Sequence, residues 1–129
     1  MNNVRLESKE LLVDESLLYT GNGYIGVRGN FEEGYPESYS TVRGAYIASF
    51  YETIDVEYGE SAHGFPKTAQ KLINVFDPQS IKIEIDGEQF SLFQGEVLNF
   101  HREMNIEKGY SLRDVEWVSP KGHHLKLEI

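Results

Sequence analysis

The most constraining feature of the sequence is a run of strict alternation between apolar and charged residues in its second half. From 81 to 86, isoleucine alternates with lysine, glutamate or aspartate, and Asp86-Gly87 is followed by Phe90 and Leu92. A period of two places the isoleucines on one face of a β-strand, and Asp-Gly is a preferred dipeptide for a tight hairpin turn. The stretch therefore predicts a β-hairpin with one buried face.

Similar short runs, separated by turn residues, fill most of the chain. The predicted strands are 16–20, 24–31, 44–51, 71–76, 97–106, 110–118 and 125–129, with 54–58 as a further candidate. The run 44–51 carries apolar residues on both faces, which is typical of a strand buried on both sides. The segment 8–14 fits a short helix or a strand. Seven to nine strands with short turns predict an all-β sandwich that forms one domain over 1–129.

The last alternating run continues to the final residue, Ile129. A natural domain rarely ends in the middle of a strand, so we expect this sequence to be the front part of a longer protein. Unpaired strand edges favour association, and the strand that contains Ile129 is the edge we expect to be most prone to it.

A glycine-rich stretch from 21 to 34 begins with a match to the dinucleotide fingerprint G-x-G-x-x-G. That fingerprint requires a helix after its third glycine, so that backbone N–H groups can hold a pyrophosphate. Gly29 and Gly34 make a helix unfavourable here, and the apolar residues alternate as in a strand. We therefore predict no dinucleotide site.

The glycines of this stretch have a structural interpretation instead. Gly21 and Gly23 are predicted to supply the positive φ of a turn. Gly26 and Gly29 are predicted to leave room for the close approach of another backbone or an aromatic ring.

Composition and charge exclude several classes of partner and site. The formal net charge is −9, from 21 acidic and 12 basic residues. Binding to nucleic acid or to an anionic membrane needs clustered Lys and Arg, so neither partner is expected. The chain has no cysteine, which excludes disulfides and thiolate metal sites and fits a cytoplasmic protein. Neither a signal peptide nor a membrane span is predicted.

Four blocks of the sequence stand out together. They are ESLL leading into GNGYIGVRGNFEEG (15–34), GAYIA and YE (44–52), LINVF and IKIEIDGE (72–88), and GEVLNFHREM and VEWVSPKG (95–122). In this order they resemble the N-terminal domain of glycoside hydrolase family 65, the family of maltose, trehalose and kojibiose phosphorylases. The resemblance covers nearly the whole chain.

The resemblance implies a twisted antiparallel β-sandwich of the galactose-mutarotase type, of which this chain is an incomplete part. In the family a helical linker, an (α/α)6 barrel and a small β-domain follow. A barrel glutamate protonates the glycosidic oxygen while inorganic phosphate, the co-substrate, attacks the anomeric carbon from the opposite face, which is inverting chemistry. We therefore assign no catalytic, cofactor-binding or metal-ligating residue to this chain, and no cofactor.

The function that the resemblance implies is support of the catalytic barrel and of a homo-oligomer in a disaccharide phosphorylase or hydrolase acting on α-glucosides such as maltose. The chain alone is then expected to be inactive. The alternative is a self-standing carbohydrate-binding module, for which the sign would be an exposed aromatic platform with polar neighbours.

Several polar residues have both a functional and a structural interpretation. Glu32 and Glu33 are adjacent, so on a strand they would point to opposite sides, and we expect ordinary solvated carboxylates. Arg28 and Asn30 are expected on the more polar strand face. There they could bond to sugar hydroxyls or to the barrel of a complete enzyme, but we expect them to hold backbone carbonyls of the loop 32–41.

Other candidates lie in the second half of the chain. Arg102 interrupts the apolar side of the run 97–106, so we expect it to be partly buried, with a partner other than Glu103. Trp117 could stack on a sugar ring, but we expect it in the core, and the tyrosines at 46, 51 and 58 have the same two interpretations. His123 and His124 should diverge across a strand, and with His63 and His101 they predict no metal site.

Overall fold

The computed structural model describes residues 6–60 and 62–129, apart from the side chain of Ser8. The elements in these residues are α1 (Ser8–Leu17), β1 (Thr20–Gly21), β2 (Ile25–Val27), β3 (Ala45–Asp55), β4 (Thr68–Asn74), β5 (Glu84–Ile85), β6 (Glu88–Gln89), β7 (Glu96–Asn105), β8 (Tyr110–Val118) and β9 (His124–Glu128). They form three antiparallel sheets, ordered β1-β2-β3-β4, β5-β6 and β7-β8-β9. The predicted all-β class is confirmed, with one short helix added.

Strand β8 provides the centre of the core, and its bounds are those predicted from the sequence. Val115 and Trp117 lie two positions apart on one face and are almost completely buried. The Trp117 ring meets Phe90 edge to face at 5.2 Å, and its Nε1 donates a hydrogen bond to the Gln94 carbonyl oxygen at 2.6 Å. A buried indole whose N–H is paired is a core residue, as predicted.

A bulge in β7 changes which of its residues face the core. The register with β8 shifts between Val97 and Asn99, so Leu98 is the extra residue and remains 45% exposed. Beyond the bulge Arg102 lies directly opposite Arg113, one of the buried residues of β8. The sequence alternation had placed Leu98 and Ile106 on the apolar side, which is wrong for both. The bulge turns Leu98 away from the core, and Ile106 lies in the turn that follows the end of β7.

The hairpin predicted around Asp86-Gly87 is present but shorter than expected. Both residues have positive φ, 47° and 77°, as a type I′ turn requires. Beyond β5 and β6 the Phe90 N–H still bonds to the Ile83 carbonyl oxygen, but the backbone N–H of Ile81 bonds to the carbonyl oxygen of Glu32 in another part of the chain. Phe90, after the turn, is buried as predicted.

The N-terminal segment differs most from the sequence interpretation. The open question at 8–14 is answered by a helix, which extends to Leu17, so the predicted strand 16–20 is wrong and only Thr20–Gly21 remain in β1. The strand predicted over 24–31 is reduced to β2. From Gly29 onward the backbone leaves the sheet, since the Gly29 N–H bonds to the Glu15 carbonyl oxygen of α1.

The glycines of this region behave largely as predicted. Gly23 has a φ of +82°, whereas Gly21 does not have a positive φ, so its predicted role is wrong. A Cβ on Gly26 would overlap the Tyr19 ring, and a Cβ on Gly29 would lie 2.8 Å from the backbone oxygen of Leu18. Both positions therefore permit the close approach that the sequence predicted.

Strands β3 and β4 extend away from the core. We call residues 48–60 and 62–74 the β3–β4 ribbon; it contains the outer part of β3, the connecting loop and β4. Every residue of β3 from Ala48 to Asp55 is exposed, so the predicted strand exists but its predicted burial on both sides is wrong. The strand predicted at 71–76 lies instead at Thr68–Asn74.

Within residues 6–60 and 62–129, we find no helix with the length and apolar character needed to cross a membrane.

Candidate functional site

A buried cluster of charges joins the loop after β2 to strand β8. Arg113, whose side chain is 4% exposed, approaches Glu33 Oε2 at 2.6 Å and Glu32 Oε2 at 2.8 Å. Its second terminal nitrogen donates to Glu33 Oε1 at 3.1 Å, so the Glu33 contact is bidentate. The prediction of two solvated carboxylates is wrong, because residues 32 and 33 form a turn in which both side chains reach the same guanidinium.

The Phe31 ring lies between two arginines. The guanidinium carbons of Arg102 and Arg113 are 5.2 and 5.0 Å from its centroid, within the range of cation–π attraction. Arg102 also donates to the Gly29 carbonyl oxygen at 2.7 Å. Burial lowers the pKa of Arg102, the charge of Arg113 lowers it further, and the charges of Glu32 and Asp14 oppose this. Its predicted partial burial is confirmed, but the contacts we observe are a ring and a carbonyl and not a close carboxylate.

A second buried carboxylate belongs to α1. Glu15 is completely buried, and its Oε2 lies 3.5 Å from Arg28 and accepts a hydrogen bond from the Val42 N–H at 3.3 Å. Arg28 also donates to the Ser16 hydroxyl, so its predicted bonds to the loop 32–41 are wrong. The arginine that holds a backbone carbonyl in this region is Arg43, which donates to the carbonyl oxygen of Phe31, just before the loop.

Tyr35 closes this network from the other side. Its hydroxyl oxygen accepts a hydrogen bond from the Phe31 N–H at 2.9 Å and lies beside Glu15 and Asn30. Burial raises the pKa of Tyr35 to about 12. Asn30 is buried here, so its predicted place on a polar strand face is wrong. The hydroxyl group of Tyr35 is therefore held neutral and is hydrogen-bonded within the loop.

The histidines do not converge. His123 lies 3.5 Å from Asp86 Oδ2, whereas the neighbouring His124 lies 3.0 Å from Glu116 Oε1 on the other side of β9. His101 is beside Glu103, at 3.4 Å. No group of three His, Cys, Asp or Glu side chains suited to a metal ion occurs in the described part of the chain.

A surface cavity of about 260 Å³ lies next to the charged cluster. Tyr35 and Phe93, with ring centroids 6.1 Å apart, form its apolar wall, and Gln89 and Gln94 form its polar edge. Glu33 also lines it, but both oxygens of that carboxylate are engaged by Arg113. Aromatic rings beside amide groups suit a neutral ligand rich in hydroxyl groups.

The charged side chains of this cluster form ion pairs and hydrogen bonds with groups of the same chain. They hold the loop 28–34 between α1 and the β7-β8-β9 sheet. The sequence reasoning missed Glu15, Arg43 and Arg113. One signal was available for Arg113, because its position two and four residues before Val115 and Trp117 places it on their buried face.

Comparison with known proteins gives a consistent result. The model of the N-terminal domain of glycosyl hydrolase family 65 matches residues 2–129. The alpha,alpha-trehalose phosphorylase of Geobacillus stearothermophilus is 48% identical over 127 residues, which are 97% of this chain and 17% of that protein. The maltose phosphorylase of Bacillus subtilis is 38% identical over 108 residues, which are 84% of this chain and 14% of that protein.

A solved structure supports the same relationship. The chain titled "Putative kojibiose phosphorylase from human microbiome" superposes with a TM-score of 0.81 at 26% identity, over 97% of this chain and 16% of that one. The present chain thus spans about one sixth of the proteins it matches. The family that the sequence motifs resembled is confirmed, and the chain belongs to glycosyl hydrolase family 65, matching its N-terminal domain.

Proposed function

We propose that this chain is the N-terminal domain of an inverting phosphorylase that acts on an α-linked glucose disaccharide. In this role it supports the catalytic barrel and the oligomer and contributes no catalytic residue. Maltose, the example of an α-glucoside that the resemblance offered, is named for one relative, but trehalose is named for a relative of higher identity, 48% against 38%. Trehalose is therefore the substrate we favour. The absence of cysteine supports a cytoplasmic location.

One observation favours a supporting role, and not a catalytic one, for this domain. The buried charges of the chain are engaged in holding its own loop, as in the contacts of Arg113 with Glu32 and Glu33. A general acid needs a carboxyl group that can reach the glycosidic oxygen. Neither Glu32 nor Glu33 meets that need, since the same guanidinium holds both.

A chimera tests this function. Residues 2–129 would replace the matching stretch of the Geobacillus stearothermophilus trehalose phosphorylase, and phosphate-dependent cleavage of trehalose, maltose and kojibiose would be measured. We expect cleavage with the parent's substrate preference, and the isolated 129-residue chain should be inactive. Phosphorolysis by the isolated chain, or a well-folded chimera without activity, would contradict the proposal.

The cavity beside Tyr35 and Phe93 favours a second candidate, a carbohydrate-binding module. Titration calorimetry of the chain with maltose, trehalose and kojibiose, each with and without phosphate, would test it. If the chain is such a module, it should bind at least one of these sugars, and the double variant Gln89→Ala/Gln94→Ala should weaken that binding. The control variant Lys126→Ala, on β9, should leave the binding unchanged. The absence of heat with all three sugars would exclude this candidate.

A further inference from the structure

The β3–β4 ribbon exposes large apolar side chains that the domain itself does not cover. Phe50 and Tyr51 are 50% and 49% exposed, and four further large apolar residues of the ribbon are also exposed: Ile54, Tyr58, Phe65 and Leu72. Val56 and Ile73 are half-buried. None of these residues belongs to the hydrophobic core or to the partly buried residues packed against it. A two-stranded ribbon without packing is marginally stable in water, so exposure on this scale indicates a missing contact.

Both faces of the ribbon share this property. Tyr51 lies directly opposite Leu72, and Ile54 lies opposite Ala69. Because Tyr51 and Ile54 are three positions apart on one strand, these two apolar pairs lie on opposite faces. The apolar residues on both faces of the run 44–51 likewise predict a strand that is covered on both sides. The sequence therefore predicts that this strand is buried, whereas the structure exposes its outer part. A partner outside this chain that covers the strand would remove the disagreement.

We infer that the β3–β4 ribbon is a docking arm whose two faces are covered by the remainder of a family 65 phosphorylase polypeptide. This inference rests on the proposed function. Its support is the length of the relatives, since about five sixths of the trehalose phosphorylase and of the solved kojibiose phosphorylase chain lie outside the part that this chain matches. The same fold in the solved chain is therefore attached to a much larger polypeptide.

Charge argues against a second copy of this chain as the partner. The ribbon carries Glu52, Asp55, Glu57 and Glu60 but only two basic residues, Lys67 and Lys71, and the whole chain has a net charge of −9. Two such ribbons face to face would bring like charges together, which is unfavourable at an interface. The partner surface should therefore be apolar, with a neutral or basic edge.

The isolated chain gives the first test. If its partner is absent, amide hydrogens of 50–55 and 69–73 should exchange much faster than those of β8, and any self-association that sedimentation detects, such as that expected at the Ile129 edge, should persist in the double variant Phe50→Ser/Tyr51→Ser. A protected ribbon, or a dimer that the double variant Phe50→Ser/Tyr51→Ser abolishes, would overturn the inference in favour of a second copy.

The chimera gives the second test. The amide hydrogens of the ribbon should exchange more slowly in the chimera than in the isolated chain, by a factor of roughly ten or more. The variant Phe50→Ser/Tyr51→Ser should lower the melting temperature of the chimera but leave that of the isolated chain nearly unchanged. Ile106→Thr, at a side chain that is 87% exposed, is the matched control and should change neither.

The two proposals fail in different ways. An active chimera whose ribbon exchanges as fast as in the isolated chain would refute the docking arm and leave the proposed function intact. A folded chimera with a protected ribbon but no phosphorolysis would refute the proposed function, while the inferred contact of the ribbon with the rest of the polypeptide would stand.

Discussion

Replacement of Arg113 by methionine should be among the most destabilising changes in this chain. The variant Arg113→Met removes a guanidinium that contacts Glu33 at 2.6 and 3.1 Å, Glu32 at 2.8 Å and the Phe31 ring at 5.0 Å. Methionine fills much of the volume but leaves the Glu33 side chain, 2% exposed, without its counter-charge. Loss of one partner of a buried ion pair costs about 3–5 kcal/mol. Since small domains are stable by about 5–15 kcal/mol, this is a large fraction of the total.

Urea unfolding followed by Trp117 fluorescence would measure this loss. The double variant Arg113→Met/Glu33→Gln should recover part of it, with a coupling free energy of about 1–3 kcal/mol between the two positions. Lys71→Met is the control, because Lys71 and Glu52 form an exposed pair at 3.8 Å whose removal should change stability by less than about 0.5 kcal/mol. If Arg113→Met costs less than about 1 kcal/mol, or if the two changes are additive, the cluster does not hold the loop as described.

Two further predictions concern the same loop. Gly29→Ala should destabilise the chain by about 1–3 kcal/mol in urea unfolding, because the new Cβ meets the backbone of Leu18. Gly59→Ala, at a position with open space around it, should leave the stability unchanged, and equal losses of stability in the two variants would refute this prediction. Tyr35, with its pKa raised from 10.0 to about 12 by burial, should give a late step in an absorbance titration of the chain. The stability it contributes is fully present below pH 10 and is lost as the pH rises toward 12, and Tyr35→Phe should remove the late titration step.

The strands that the sequence predicted best are those whose partners are close in the chain. The bounds of β8 were predicted correctly, and so was the turn at Asp86-Gly87, because both depend on local alternation and on turn chemistry. The helix was left undecided because its apolar residues, Leu11, Leu12 and Val13 among them, do not form one stripe.

The charged cluster was not predictable from local pattern. Glu33 and Arg113 are 80 positions apart, and nothing in the sequence near either residue identifies the other. The exposed ribbon was misassigned for a related reason. An apolar pattern on both faces indicates that a strand is covered, but it does not indicate whether the cover belongs to the same chain.

The distance along the chain between Glu33 and Arg113 also has a consequence during synthesis. A ribosome adds about 5–20 residues per second, so roughly 4–16 seconds separate the two residues as the polypeptide emerges. Throughout that interval Glu32, Glu33 and Phe31 have no arginine from β8 to bind. The β7-β8-β9 meander consists of local pairings, so it can form as soon as it is made. The order that these contacts give to the loop can therefore form only after β8 has been made, although the loop itself is synthesised first.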